Sequence, residues 1–194
     1  FTTAPRTKKD AALFGAKYQP YLDWLKTTER PVLVLRGESG AGKSSLIQAA
    51  LAPKLARAGM EVTVLRSHDN PLEQLAAQLG LSASLEDLVA TVLDHLQRLE
   101  QEPGKRRLFI IDQFEEFFLI RETLQDGKEA ATTDDRTAAF KSFLHGLLHL
   151  NPKRSAILLS YRSDHQALID RLELPWRQSD KNWMELLPMP YDEA

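Results

Sequence analysis

The fold of this chain is decided between residues 32 and 51, where the sequence reads VLVLRGESGAGKSSLIQAAL. Its first four residues, 32–35, form a continuous apolar run, which is typical of a strand covered on both faces. A glycine-rich stretch follows and leads into residues 44–58, where apolar side chains recur at helical spacing until Gly59. This order of strand, glycine-rich loop and helix predicts the opening unit of an α/β domain.

The glycine-rich stretch at residues 37–44 reads GESGAGKS and matches the phosphate-loop pattern G-x-x-x-x-G-K-[ST] at every fixed position. Small residues let several backbone N–H groups point inward at once, and the start of the next helix adds positive potential, so the loop suits a triphosphate. We expect Gly37, Gly40 and Gly42 to permit this close approach and to supply unusual backbone angles.

Within the loop, Lys43 can reach the β- and γ-phosphates, and the hydroxyl of Ser44 can bind Mg²⁺. The loop and the first turn of the helix therefore provide the predicted nucleotide-binding residues, which are Gly37, Glu38, Ser39, Gly40, Ala41, Gly42, Lys43, Ser44 and Ser45.

Further short apolar runs alternate with segments of helical periodicity, at residues 62–65, 108–111, 156–160 and 183–187. Such alternation implies a parallel sheet with right-handed crossovers. We therefore predict a three-layer α/β/α P-loop NTPase fold with a mostly parallel central sheet of about five strands. Residues 1–30 are interpreted as an approach segment and helix, and 31–194 as the P-loop core. Residues 122–135 contain few apolar side chains and are predicted to form a surface insertion.

Acidic residues follow the apolar run at 108–111. Asp112 lies where that strand ends, and the carboxyl ends of parallel strands face the ligand crevice, so Asp112 can bind Mg²⁺ opposite Ser44. Glu115 and Glu116 come three and four residues later, and one helical turn would bring either back near Asp112. Either glutamate could orient or deprotonate the attacking water. The sequence leaves this choice open, with a slight preference for Glu116.

A basic residue, Arg162, follows the apolar run at 156–160 and is predicted to emerge at the same edge of the sheet. There it could sense the γ-phosphate or pair with Asp112 or Glu116. Together with Lys43 and the three carboxylates, Arg162 completes the set of predicted catalytic residues.

The composition of the 194 residues narrows the function further. The formal net charge of −2 disfavours nucleic acid as a partner, and the absence of cysteine excludes disulfides and thiol chemistry. No apolar run approaches the length of about 18 residues that a membrane span requires. We therefore predict a cytoplasmic protein with no membrane partner. The chain begins with Phe1 rather than Met, so we expect it to be part of a larger multidomain protein.

Four strings together resemble one family. They are Phe14-Gly15, GESGAGKSSLIQAAL at 37–51, IIDQFEEFF at 110–118 and YRSD at 161–164. They are similar to the STAND class of P-loop NTPases, in particular its bacterial novel STAND branch, which is related to NACHT and AAA+ modules. The resemblance implies ATP or ADP as the nucleotide, with Mg²⁺. It also implies a slow ATP-hydrolysing switch in signalling or antiphage defence, which oligomerises on activation. Effector and sensor domains would lie outside this chain.

Two other functions are compatible with a phosphate loop. One is a nucleotide-binding assembly scaffold without significant hydrolysis, which the two glutamates after Asp112 weakly disfavour. The other is a small-molecule kinase, which would need an arginine-rich lid that the sequence does not display.

Overall fold

The computed structural model describes residues 18–66, 70–123, 129–174 and 182–187. The Phe14-Gly15 string of the family resemblance lies outside these ranges. In chain order the elements are α1 (Gln19–Thr27), β1 (Val32–Gly37), α2 (Lys43–Leu46, continued by a π-helical turn Ile47–Leu51 and then Ala52–Arg57), β2 (Glu61–Arg66), α3 (Pro71–Gln78), α4 (Leu85–Gln101), β3 (Arg107–Asp112), α5 (Glu116–Thr123), α6 (Glu129–Leu150), β4 (Ser155–Arg162), α7 (Gln166–Asp170, preceded by a 3₁₀ turn Ser163–His165) and β5 (Trp183–Leu186).

The strands form one five-stranded sheet in the order β2-β3-β4-β1-β5 over the described residues, and every neighbouring pair is parallel. The predicted α/β class and parallel sheet are therefore confirmed. Strand β4 lies between β1 and β3, so the strand that leads into the phosphate loop and the strand that ends at Asp112 are not neighbours. The carboxyl end of β4 is thereby placed between the two predicted halves of the site.

Alternate residues of the central strands enter two separate cores. On one face, Leu33 and Leu35 of β1 pack in a cluster with buried side chains of α1 and α2. On the other face, Val32 and Val34 belong to a larger cluster formed with α3, α4, α5, α6 and α7. This burial on both faces explains the continuous apolar runs in the sequence, because neither face of the central strands is left for polar side chains.

The helix after the loop contains a feature that the sequence analysis missed. Its predicted extent is close to the observed one, but the segment Ile47–Leu51 is a π-helical turn. Pro53 follows within this helix. Proline has no N–H to donate, and its ring clashes with the carbonyl of the residue four positions earlier, so the wider turn accommodates it.

Helix boundaries elsewhere follow their capping residues. The side chain of Asn70 accepts a hydrogen bond from the backbone N–H of Leu72 at 3.1 Å, and that of Ser84 accepts one from the backbone N–H of Asp87 at 3.3 Å. Both residues stand directly before a helix, where such side chains are favoured. The surface insertion at 122–135 stays a prediction, but the described part of this segment has regular backbone. The backbone is helical through Thr123 and again from Glu129, and residues 124–128 lie outside the described ranges. Alanine, glutamate and arginine favour helix without an apolar face, which explains why the sequence shows no periodic signal there.

Among the described helices, none is both long enough and apolar enough to span a bilayer.

Candidate nucleotide-binding site

The candidate site lies at the carboxyl edge of the sheet, where parallel strands all end. The β1–β4 register places Gly37, the first residue of the phosphate loop, beside Arg162. The β3–β4 register pairs Ile111 with Leu159, so Asp112 and Ser160 come next to each other at the same edge. The topology thus brings the loop, the acidic strand end and Arg162 together, as predicted.

The glycines of the loop serve different purposes. Gly40 and Gly42 have φ angles of 77° and 90°, which side-chain-bearing residues rarely adopt, so the expectation of unusual backbone angles is met at these two positions. Gly37 has no positive φ. A Cβ atom at Gly37 would lie 2.5 Å from the backbone oxygen of Leu186 in β5. The close approach at Gly37 is therefore to the neighbouring strand.

We expect Gly37→Ala to displace β5 and to lower the free energy of unfolding by about 1–3 kcal/mol, the usual cost of overpacking. The physical reason is that the obstacle is backbone, which cannot rotate away as a side chain could. Thermal melting would measure the loss of stability, and hydrogen exchange of the β5 amides would measure the displacement of that strand. Gly59→Ala is the matched control, since Gly59 has a φ of 91° but open space around it, and it should leave β5 protected.

The ammonium group of Lys43 is held inside the loop. The Lys43 side chain is buried, and its Nζ atom donates to the carbonyl oxygens of Gly37 at 2.8 Å and Glu38 at 2.9 Å. Burial lowers the pKa of Lys43, while the negative charges of Glu115 and Asp112 oppose this effect. A buried cation whose acidic neighbours do not fully offset its desolvation is well suited to receive an anion.

Two donors orient the carboxylate of Asp112, which is only 2% exposed. The hydroxyl of Ser160 and the backbone N–H of Gln113 both donate to its Oδ1 atom at 3.1 Å. Gln113 itself has a φ of 56°, a left-handed conformation that turns the chain sharply after β3. Because both donors converge on one oxygen, the other oxygen, Oδ2, remains for a cation.

The turn after Asp112 is anchored by aromatic rings. Phe114, Phe117 and Phe118 are buried and lie within 5.2–5.7 Å of one another, measured between ring centroids, and Phe140 of α6 joins them. These phenylalanines therefore pack the turn against the larger core. Both Glu115 and Glu116 lie between these rings in the sequence, so the anchor positions the two glutamates together.

The two glutamates that the sequence analysis left open differ in environment. Glu115 is 4% exposed, and its Oε2 atom accepts a hydrogen bond from the backbone N–H of Arg162 at 3.3 Å. Burial raises the pKa of Glu115, against the lowering influence of two backbone hydrogen bonds and of Lys43. Glu116 is half-buried in the first turn of α5. Glu115 is thus the more buried residue of the two and is bonded to β4, while which glutamate acts on the attacking water stays a prediction.

The guanidinium of Arg162 has a different partner from those predicted. Its Nε and Nη2 atoms donate to the two carboxylate oxygens of Asp164, at 3.2 and 2.5 Å. Asp164, two residues away, offers one carboxylate oxygen to each of these two nitrogens, while the predicted roles of Arg162, sensing the γ-phosphate or pairing with Asp112 or Glu116, stay predictions. The main chain of Arg162, by contrast, does contact the acidic turn through Glu115.

Sequence reasoning missed Ser160, Asp164 and Leu186 as parts of this site. For Asp164 a signal was present, since an aspartate two residues after an arginine at a strand end can reach its side chain. For Ser160 and Leu186 there was none, because their contacts depend on strand neighbours that only the sheet order reveals.

A nucleotide with Mg²⁺ fits the chemistry of these side chains. The loop offers a buried ammonium group and left-handed glycines at the start of α2, which together suit phosphate. The acceptors suited to a cation are the Asp112 carboxylate and the Ser44 hydroxyl. Mg²⁺ usually takes only one or two protein carboxylates and completes its shell with water and phosphate oxygens, so this small set is sufficient.

Comparison with known proteins agrees with this reading. The family model described as Novel STAND NTPase 1 matches residues 5–193. Among curated protein sequences, none matches this chain.

Several solved structures are similar to this chain. Drosophila ORC bound to GC-rich DNA and Cdc6 has 12% identity and a TM-score of 0.54, covering 98% of this chain and 62% of that one. The Aeropyrum pernix ORC2 protein in its ADP form has 16% identity and a TM-score of 0.53, covering 97% and 51%. AMPPCP-bound DnaA from Aquifex aeolicus has 16% identity and a TM-score of 0.45, covering 93% and 47%. The chain therefore spans about half of the length of these structures.

The match to the family model extends over nearly the whole chain, and the loop and acidic strand end lie within it. The two solved structures with TM-scores above 0.5 support the same fold. This chain therefore belongs to the Novel STAND NTPase 1 family and is a nucleotide-binding P-loop NTPase domain.

Proposed function

We propose that this domain is an ATP-binding and ATP-hydrolysing switch, which turns over slowly and drives activation and self-oligomerisation of a larger signalling or antiphage-defence protein. The observation that carries the hydrolytic part is the gathering of three buried ionisable side chains, Lys43, Asp112 and Glu115, at the mouth of the loop. Buried charges cost free energy, so a fold retains them chiefly where they bind or react. The regulatory part is supported by membership of the family alone.

The binding roles in this proposal follow from the positions of the side chains. The N–H groups of residues 37–45 surround the phosphates, and Lys43 exchanges its carbonyl partners for phosphate oxygens. The hydroxyl of Ser44 and the free oxygen of Asp112 hold Mg²⁺, which offsets phosphate charge when bound. Ser160 donates to the other oxygen of Asp112, Oδ1, and so leaves Oδ2 to the ion.

Glu115 is the proposed general base. Its raised pKa makes the ionised carboxylate a stronger proton acceptor than an exposed glutamate, and it lies in the electrostatic reach of Lys43. It would accept a proton from the water that attacks the γ-phosphate. Arg162, at the same edge, would stabilise negative charge on the terminal phosphate.

The direct test is calorimetric titration of the chain with ATP and with ADP, each with and without Mg²⁺, followed by measurement of phosphate release. We expect Mg²⁺-dependent binding and slow turnover. Binding without any phosphate release would favour the assembly scaffold. A chain that binds neither nucleotide at millimolar concentration would contradict the proposal.

A further inference from the structure

The ion pair between Arg162 and Asp164 uses only one side of the guanidinium. The hydrogen bonds run from Nε and Nη2 to the two oxygens of Asp164, so the carboxylate meets the guanidinium on the side that carries Nε. Arginine carries five N–H donors, so the other edge, formed by Nη1 and the second hydrogen of Nη2, is left for a second anion. Side-on contact with a carboxylate also removes most of the rotational freedom of the side chain.

The main chain of Arg162 is held as firmly as its side chain. Its N–H donates to Glu115, and its place in the β1–β4 register is beside Gly37. The positive charge of Arg162 and the negative charge of Asp164 both influence the pKa of Lys43, which places the pair within electrostatic reach of the phosphate loop. The arginine is 39% exposed and the aspartate 56%, so the pair borders the crevice and is open to an incoming ligand.

We propose that Asp164 is a positioning residue, which orients the guanidinium of Arg162 so that its open edge recognises the terminal phosphate of a nucleoside triphosphate. Asp164 thereby sets the preference of the site for triphosphate over diphosphate. This inference rests on the proposed function, in which Arg162 meets the γ-phosphate. An exposed ion pair contributes little to stability, so replacing Asp164 should leave the fold intact and expose its effect on binding.

The test uses calorimetry with Mg²⁺ to measure the dissociation constants of ADP and of the non-hydrolysable β,γ-methylene analogue of ATP. The quantity compared is the ratio of the ADP constant to the analogue's constant, which is larger when the site prefers triphosphate. Arg162→Ala should reduce this ratio by about tenfold or more, the worth of a charge-assisted hydrogen bond. Asp164→Asn should reduce it by about threefold or more while Arg162 is present. In the variant that carries both Arg162→Ala and Asp164→Asn, the ratio should equal that of Arg162→Ala alone, because Asp164 acts only through the arginine.

Asp170→Asn is the matched control, since it removes the same charge from another exposed aspartate, whose carboxylate accepts a hydrogen bond from Gln166 at 2.9 Å. Its ratio should equal that of the unchanged chain. If Arg162→Ala lowers the ratio but Asp164→Asn does not, the inference fails and the proposed function stands. If Asp164→Asn raises the ratio, Asp164 restrains the arginine and the inference also fails. If Arg162→Ala leaves the ratio unchanged, or nothing binds, the proposed role of Arg162 and the inference fail together.

Discussion

Replacing Lys43 with alanine should weaken nucleotide binding by about 10- to 100-fold, the range expected for losing a charged hydrogen-bond donor to phosphate. The ammonium group is the only cation among the predicted loop residues 37–45, and it is buried where the phosphates would lie. Backbone N–H groups and the helix start would remain, so weak binding should persist. Titration of the variant with ATP in the presence of Mg²⁺ gives the measurement.

The same change should leave the fold intact. Burial lowers the pKa of Lys43 despite its acidic neighbours, so the charged form is less stable in the folded chain than in the unfolded one. Removing it therefore takes away little stability, and thermal melting should show this. Lys54→Ala is the control on the same helix, because Lys54 contacts the ring of Tyr18 and lies outside the loop. An ATP affinity in Lys43→Ala equal to that of Lys54→Ala would refute the phosphate-loop assignment.

Much of the fold could be predicted because its signals are local. An apolar strand, a complete phosphate-loop pattern and a periodic helix stand next to one another in the sequence, and each further apolar run became a strand. Capping by Asn70 and Ser84 is equally local. The segment at 122–135 was less predictable, because residues that favour helix leave no periodic apolar signal there, and its described parts, through Thr123 and from Glu129, are helical.

The details of the site were less predictable because they depend on strand order. The sequence predicted that Asp112 and Arg162 lie at one edge of the sheet. It did not predict that β4 lies between β1 and β3, and this strand order is what places Ser160 against Asp112. The difference in burial between Glu115 and Glu116 likewise could not be predicted, because the two are adjacent residues of the same type. The reason for a glycine at position 37 came from β5, about 150 residues away in the chain.

Replacing Glu115 with glutamine should reduce ATP hydrolysis by about 10²- to 10⁴-fold, the contribution of a general base, while nucleotide binding is retained. Glutamine keeps an oxygen that can accept the hydrogen bond from the N–H of Arg162, so the turn should stay in place. The matched control is Glu116→Gln, one residue away and half-buried. Phosphate release should fall far less in that control. If Glu116→Gln abolishes release and Glu115→Gln does not, the roles are reversed.

Glu115→Gln should also make the chain more stable at neutral pH, and this effect carries a sign that can be tested. Burial raises the pKa of Glu115 above its ordinary value, so the folded state keeps the proton to a higher pH than the unfolded state does. The ionised carboxylate therefore costs stability above the folded pKa, and this cost disappears as the pH falls below the unfolded pKa. A gain of about 2–4 °C in Tm corresponds to about 1 kcal/mol in a domain of this size.

The gain should accordingly be present at neutral pH and vanish on acidification through the range in which glutamate titrates. Melting curves of the two proteins across that range give the measurement. A variant that is less stable at neutral pH would mean that Lys43 and the backbone donors more than compensate the buried charge. A variant that is more stable and inactive would show a carboxylate kept at the cost of stability, which is the behaviour expected of a catalytic base and not of a scaffold.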